Sequence, residues 1–136
     1  MSGRSILAGS APIAFVPTTD PSAARSFYES VLGLRLIADE LPFAMVFAAN
    51  GIMLRITKVA EHTPAPFTIL GWQVESIDET VVALQRGGVE LLRYPGMNDT
   101  QPLGIWTAPS GARVAWFRDP AGNVLSVTEF PSPAAA

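Results

Sequence analysis

The chain states one pattern twice. From Ile13 to Leu34 it runs as an apolar strand, an acidic cap, a helix with one apolar face and a glycine stop; from Ile69 to Val89 it runs in the same order. The copies keep a fixed offset, since Ile13 matches Ile69 (69 − 13 = 56) and the cap Asp20 matches Ser76 (76 − 20 = 56). Units this small cannot bury their apolar faces alone, so two in one chain must pack together. Two half-sheets then face each other around a shared hollow, where function is expected.

At 136 residues, 49% hydrophobic and 15% charged, the chain has the size and composition of one well-buried domain. A net charge of −3, with nine scattered Lys and Arg, provides no basic face for nucleic acid. There are no cysteines, which removes disulfides, thiolate catalysis and cysteine metal sites, and agrees with a reducing compartment. The opening MSGRSILAGSA holds too short an apolar patch for a signal peptide. No apolar run reaches the ~18 residues of a membrane span. The expectation is a cytoplasmic protein with no membrane and no nucleic-acid partner.

Residues 11–130 read as a single domain, with module one at about 11–58, a linker at 59–66 and module two at about 67–130; residues 1–10 and 131–136 read as flexible termini. In module one, Ala11–Thr18 is an apolar strand and Asp20 caps a helix with Pro21 at its first position. Ala24, Phe27, Tyr28, Val31 and Leu32 form its buried stripe, and Gly33 ends it. Strands follow at Leu34–Ala38, Phe43–Ala48 and Ile52–Thr57, the last two joined by the hairpin signal Asn50-Gly51. In module two, Phe67–Val74 is a strand, and Ser76 with Glu79 forms a capping box for a helix through Arg86. Further strands are expected at Glu90–Tyr94, Gly104–Thr107, Arg113–Phe117 and Val124–Glu129, with Asp119–Asn123 as a turn. Each half is βαβββ.

The stretch from Asp20 to Leu34, with Phe27-Tyr28 and Leu32-Gly33-Leu34, resembles the helix signature of the vicinal oxygen chelate superfamily. This group holds glyoxalase I, bleomycin-resistance proteins and extradiol dioxygenases. The stretch Phe117-Arg-Asp119-Pro120-Ala-Gly122-Asn123-Val resembles its closing hairpin. The resemblance implies an α+β fold in which two tandem βαβββ modules form a curved half-barrel sheet around a central cavity. In metal-dependent members a divalent ion sits in that cup. Its ligands are His or similar from the first strand of each module and Glu from the last.

By motif spacing those four slots are Ile13, Arg55, Ile69 and Ser126. Isoleucine has no lone pair, a guanidinium repels a cation, and a serine hydroxyl alone is a poor ligand. The expectation is therefore a cup without metal and without cofactor. Arg55 projects into it and either clamps a ligand carboxylate or phosphate, or pairs with a protein carboxylate or reaches the rim. Gln73, four positions beyond Ile69, is placed on the same strand face. Trp106 is the leading aromatic candidate for stacking a ligand, and Met53 for an adaptable apolar wall. One of Trp116 and Phe117 enters the cavity, while Trp72 packs under the second helix. His62, the lone histidine, reads as a loop residue, and the acidic residues, Glu40 among them, read as solvated.

The resulting candidate ligand-binding set is Arg55, Gln73, Ser126, Trp106, Ile13, Ile69 and Met53, with no catalytic residue assigned. The leading expectation is a homodimeric, metal-independent binder of a small molecule that is neutral or anionic and partly aromatic. The alternatives are a cofactor-independent lyase or isomerase using the same cup, and a non-catalytic regulatory or interaction module whose cup has closed.

Overall fold

The computed structural model describes residues 5–132. The parts of the expected flexible termini at 1–4 and 133–136 lie outside the described residues. Module one contains β1 (Ile13–Thr18), α1 (Pro21–Arg25), β2 (Arg35–Glu40), β3 (Ala44–Ala49) and β4 (Ile52–Lys58). Module two contains β5 (Thr68–Gln73), α2 (Ile77–Arg86), β6 (Trp106–Thr107), β7 (Arg113–Arg118) and β8 (Val124–Glu129).

The caps act as their residue types require. Asp20 Oδ1 accepts from the Ala23 amide at 3.1 Å, and Ser76 Oγ accepts from the Glu79 amide at 3.3 Å. A carboxylate from outside the helix adds to the second cap, since Glu129 accepts from the Ile77 amide at 2.9 Å. Arg113 then grips Asp78 through both guanidinium nitrogens, at 2.9 and 3.1 Å, and this hydrogen bonding holds the Asp78 carboxyl below the usual range. The first helix departs from expectation. After Arg25 it widens into a π-helical turn over Ser26–Val31, with the Leu32 amide bonding back to the Phe27 carbonyl at 2.9 Å. The wider turn brings the sequence neighbours Phe27 and Tyr28 into edge contact at 5.2 Å, and Tyr28 is fully buried.

Each module forms one four-stranded mixed sheet, ordered β1-β4-β3-β2 and β5-β8-β7-β6. The first and last strands of each module pair in parallel, and the others pair antiparallel. β1 and β5 approach each other without pairing, so the two open, curved sheets lie edge to edge. One face carries Val16, Leu54, Ile56, Phe47, Leu125, Val127 and Phe117, and buries them beneath Tyr28, Ile77, Val81 and Leu84 from the helices. By strand alternation the other face is the cup. This is the expected α+β architecture of two tandem βαβββ modules, with one change. The strand expected at Glu90–Tyr94 is reduced to a single bridge, Leu91 to Phe117, and the edge resumes only at Trp106. Between these points the chain leaves the sheet as a loop that is tied internally. Buried Asn98 accepts from the Tyr94 amide at 2.7 Å and donates to the carbonyls of Leu92 and Gly104 at 2.9 and 2.7 Å. The Arg93 guanidinium donates to the carbonyls of Asn98, Gln101 and Pro102. These bonds replace the ladder that a straight edge strand would make.

A buried polar knot joins the modules. Tyr28 donates to Asp119 Oδ2 at 2.7 Å, and Asn123 donates to Asp119 Oδ2 and to the Pro17 carbonyl, each at 2.9 Å. His62 completes it at 2.6 Å from Asn123 Oδ1, so the linker histidine is a structural group. Since both amide hydrogens of Asn123 are committed to acceptors, its Oδ1 must accept and His62 Nε2 must donate. Burial, then the Asp119 charge, pushes the Tyr28 phenol far above its ordinary pKa, so it stays protonated. Among the described residues no helix is long and apolar enough to cross a membrane.

Candidate functional site

The cup is read off the strand registers. In the first sheet Val46, Arg55 and Phe15 stand side by side, and in the second Gly71, Ser126 and Trp116 do the same. One step along, Met53 stands beside Ile13, and Trp106 beside Val114. The face is open on the module-one side, where Ile13, Phe15 and Met53 are 48%, 62% and 37% exposed. Sequence analysis left Trp116 and Phe117 undecided. Trp116 takes the cup and Phe117 the core, because Trp116 is in register with Ser126 and Phe117 with Leu125.

Ile13, Met53, Arg55, Trp106 and Ser126 therefore share the cup face. Ile69 does not. It is the extra residue of a bulge between Thr68 and Leu70, and it packs half-buried against the core cluster. The bulge breaks the alternation on which the Ile69–Gln73 pairing rested. Gln73 nevertheless keeps the cup-face register, since it stands beside Thr128, two residues beyond Ser126, and its side chain is exposed. Trp72 packs on the core, as expected.

Arg55 takes the protein-carboxylate alternative. Its Nη2 donates to Glu40 Oε1 at 2.8 Å, an ion pair on the cup face. Glu40, read from sequence as solvated, reaches this face because it stands beside Ala44 on β3, in phase with Val46. The pair neutralises the formal charge of the cup while leaving other guanidinium donors uncommitted to carboxylate. Ser126 is buried, and its Oγ lies over Gly71, where an added Cβ would come within 2.7 Å of it. Among the described residues no base is hydrogen-bonded to that hydroxyl, and nucleophilic chemistry needs one.

The most developed wall is aromatic. Trp116 meets Tyr94 edge-on at 5.3 Å and Trp106 at 6.0 Å with a 33° tilt. Beside them a cavity of about 270 Å³ is lined by Pro66, Phe67, Thr68, Tyr94, Met97 and Trp116. Tyr94 and Met97 were not found from sequence. They ride on the tied loop, and no motif marks a loop whose shape depends on Asn98 and Arg93.

The donor set does not fit a divalent ion. The four slots hold two isoleucines, an ion-paired arginine and a serine, and no group of three or more His, Cys, Asp or Glu side chains comes together among the described residues.

Two tandem βαβββ modules whose sheets curve around a shared concave face define the architecture of the chain. The chain belongs to the Glyoxalase/Bleomycin resistance protein/Dioxygenase superfamily, whose model matches residues 10–127. Among solved structures it is similar to lactoylglutathione lyase from Agrobacterium tumefaciens, at 18% identity over 89% of this chain and 93% of that one, with a TM-score of 0.69. It is similar to a glyoxalase/bleomycin resistance protein from Catenulispora acidiphila, at 24% identity over 89% and 98%, with a TM-score of 0.66. It is also similar to TioX from Micromonospora sp. ML1, at 17% identity over 90% and 100%, with a TM-score of 0.67. At these identities the likeness establishes the fold alone. Among curated proteins none matches the chain.

Proposed function

We propose that the protein is a metal-independent binder of a small, partly aromatic molecule, neutral or anionic, which it holds in the cup. The observation that carries this reading is the Tyr94–Trp116–Trp106 wall standing across the cup from Arg55 and its partner Glu40. Stacking on such a wall favours a flat ligand, and the free donors of Arg55 select for a carbonyl or carboxylate acceptor. The bare apolar side chains Ile13, Phe15 and Met53 argue against a closed cup. They also favour a second copy of the chain completing the site, and we place the protein in the cytoplasm.

Titration with benzamide and benzoate, followed by tryptophan fluorescence, tests the reading. Saturable quenching that Trp116→Ala abolishes is the expected result, with no change in affinity or melting temperature after dialysis against a chelator. A chelator-induced loss restored by a divalent ion would overturn metal independence. A lyase or isomerase remains the second reading, favoured by one observation: Glu40 places a carboxylate on the cup face, where an acid–base reaction needs one. Turnover that disappears in Glu40→Gln while binding persists would select it.

A further inference from the structure

The hairpin between β3 and β4 carries a reactive group that the cup does not use. Asn50 and Gly51 are its two turn residues, closed by the Ala49–Ile52 pair. Both hold positive φ, 48° and 98°, as a two-residue turn between twisted strands requires. Space around Gly51 is open, since a Cβ built there would meet nothing within 4 Å. Its backbone N–H donates to no carbonyl among the described residues.

The chain has three asparagines, Asn50, Asn98 and Asn123, and their surroundings differ. Asn98 and Asn123 are each 1% exposed. Asn98 Nδ2 donates to the carbonyls of Leu92 and Gly104, and Asn123 Nδ2 to the Pro17 carbonyl and to Asp119. Asp99 and Val124 follow them, and both carry side chains. Asn50 alone is exposed, and it alone precedes a glycine.

We propose that Asn50 is a site of spontaneous deamidation whose product places a new carboxylate in an acidic cleft where the modules meet. The Gly51 backbone nitrogen, its proton taken by hydroxide, attacks Asn50 Cγ. The new N–Cγ bond closes a five-membered imide, the Cγ–Nδ2 bond breaks, and ammonia leaves with a proton from water. A water molecule then opens the imide at either carbonyl, giving aspartate or isoaspartate. One water is consumed, one ammonia is released, and nothing is oxidised or reduced.

The position gives the change a structural consequence. Asn50 lines a cleft with Val74, Glu75, Glu129 and Phe130 of module two, and no Lys or Arg lines it. Glu129 stands 3.9 Å from Arg113, which is already gripped by Asp78. A carboxylate at residue 50 therefore meets two others without a cation beside it, and such groups repel within a screening length of about 10 Å at 0.1 M salt. Isoaspartate acts on the turn as well. It adds a backbone atom between Ala49 and Ile52, whose pairing sets the register of the strands carrying Val46 and Arg55.

Mass spectrometry after incubation at mildly alkaline pH tests the site. Cleavage after arginine separates the three asparagines into peptides 36–55, 94–113 and 119–136. The amide-to-acid mass gain is expected in 36–55 at least about tenfold faster than in the other two, whose buried asparagines react only through opening, and isoaspartate should accompany it. Asn50→Gly keeps the turn, because Gly-Gly suits it, and should abolish the gain in that peptide. Asn50→Asp should lower the melting temperature at low salt, with the loss shrinking as salt is raised. No gain in 36–55, or equal gain in all three peptides, would overturn the site. A melting temperature that does not fall in Asn50→Asp, or a loss indifferent to salt, would overturn the part played by the cleft.

Discussion

Two side chains carry most of what is specific at the residue scale. Tyr28 is a packing residue with one committed hydroxyl, and Asp119 depends on it. Tyr28→Phe leaves a buried carboxylate with one donor fewer and should cost about 1–3 kcal/mol in urea unfolding. The raised phenol pKa also has a pH consequence. The native state keeps the proton while the unfolded chain releases it near pH ~10, so stability is full below that pH and falls as pH rises beyond it. Unfolding measured across this range should show the alkaline loss in the parent protein and a smaller one in Tyr28→Phe. Arg55 presents the converse case, a surface pair whose worth lies in selection. Glu40→Gln frees the guanidinium, so benzoate affinity should rise relative to benzamide, with little change in stability because the pair is part-exposed. An unchanged ratio would show that Arg55 does not face the ligand.

Among the elements, the loop between Leu92 and Trp106 departs furthest from the repeat. Asn98 is its central tie, and Asn98→Ala leaves one amide and two carbonyls without partners. The expected loss is about 2–4 kcal/mol in urea unfolding, together with weakened ligand quenching, because Tyr94 moves with the loop. The turn after β7 is constrained differently. Gly122 has φ +88°, and a Cβ there would come within 2.8 Å of Pro64 Cγ in the linker, so Gly122→Ala should lower the melting temperature on both grounds. Caps, helix faces, hairpin and repeat were legible in sequence because each rests on contacts a few residues apart. Ile13, Arg55 and Ser126 were placed by motif spacing and Trp106 by its position near the cup mouth, and the strand registers put all four on the cup face with Met53. Ile69 did not follow, because one inserted residue at a bulge reverses the alternation without any sequence mark, while Gln73, beyond the bulge, keeps the register of Ser126 and Thr128. Tyr94, Met97 and Glu40 escaped for a related reason: register across strands, and carbonyl contacts within a loop, place them.

Across the whole molecule the modules share one core and one polar knot. Tyr28 of the first half is bonded to Asp119 of the second, and Pro17 to Asn123. Unfolding should therefore be a single cooperative transition, with calorimetric and van't Hoff enthalpies equal, and residues 11–58 expressed alone should lack fixed tertiary structure. Two separable transitions would contradict the shared core. The broken edge of the second sheet has a wider consequence. Its loop leaves from one bridged residue and returns at a two-residue strand, so few ladder hydrogen bonds depend on its length, while Asn98 and Arg93 hold its shape from within. Ligand preference can drift through changes at exposed loop positions as long as Asn98 and Arg93 keep their ties. A duplicated half released from making a full edge strand becomes the variable region of an otherwise fixed frame, and is the natural place to graft a new specificity.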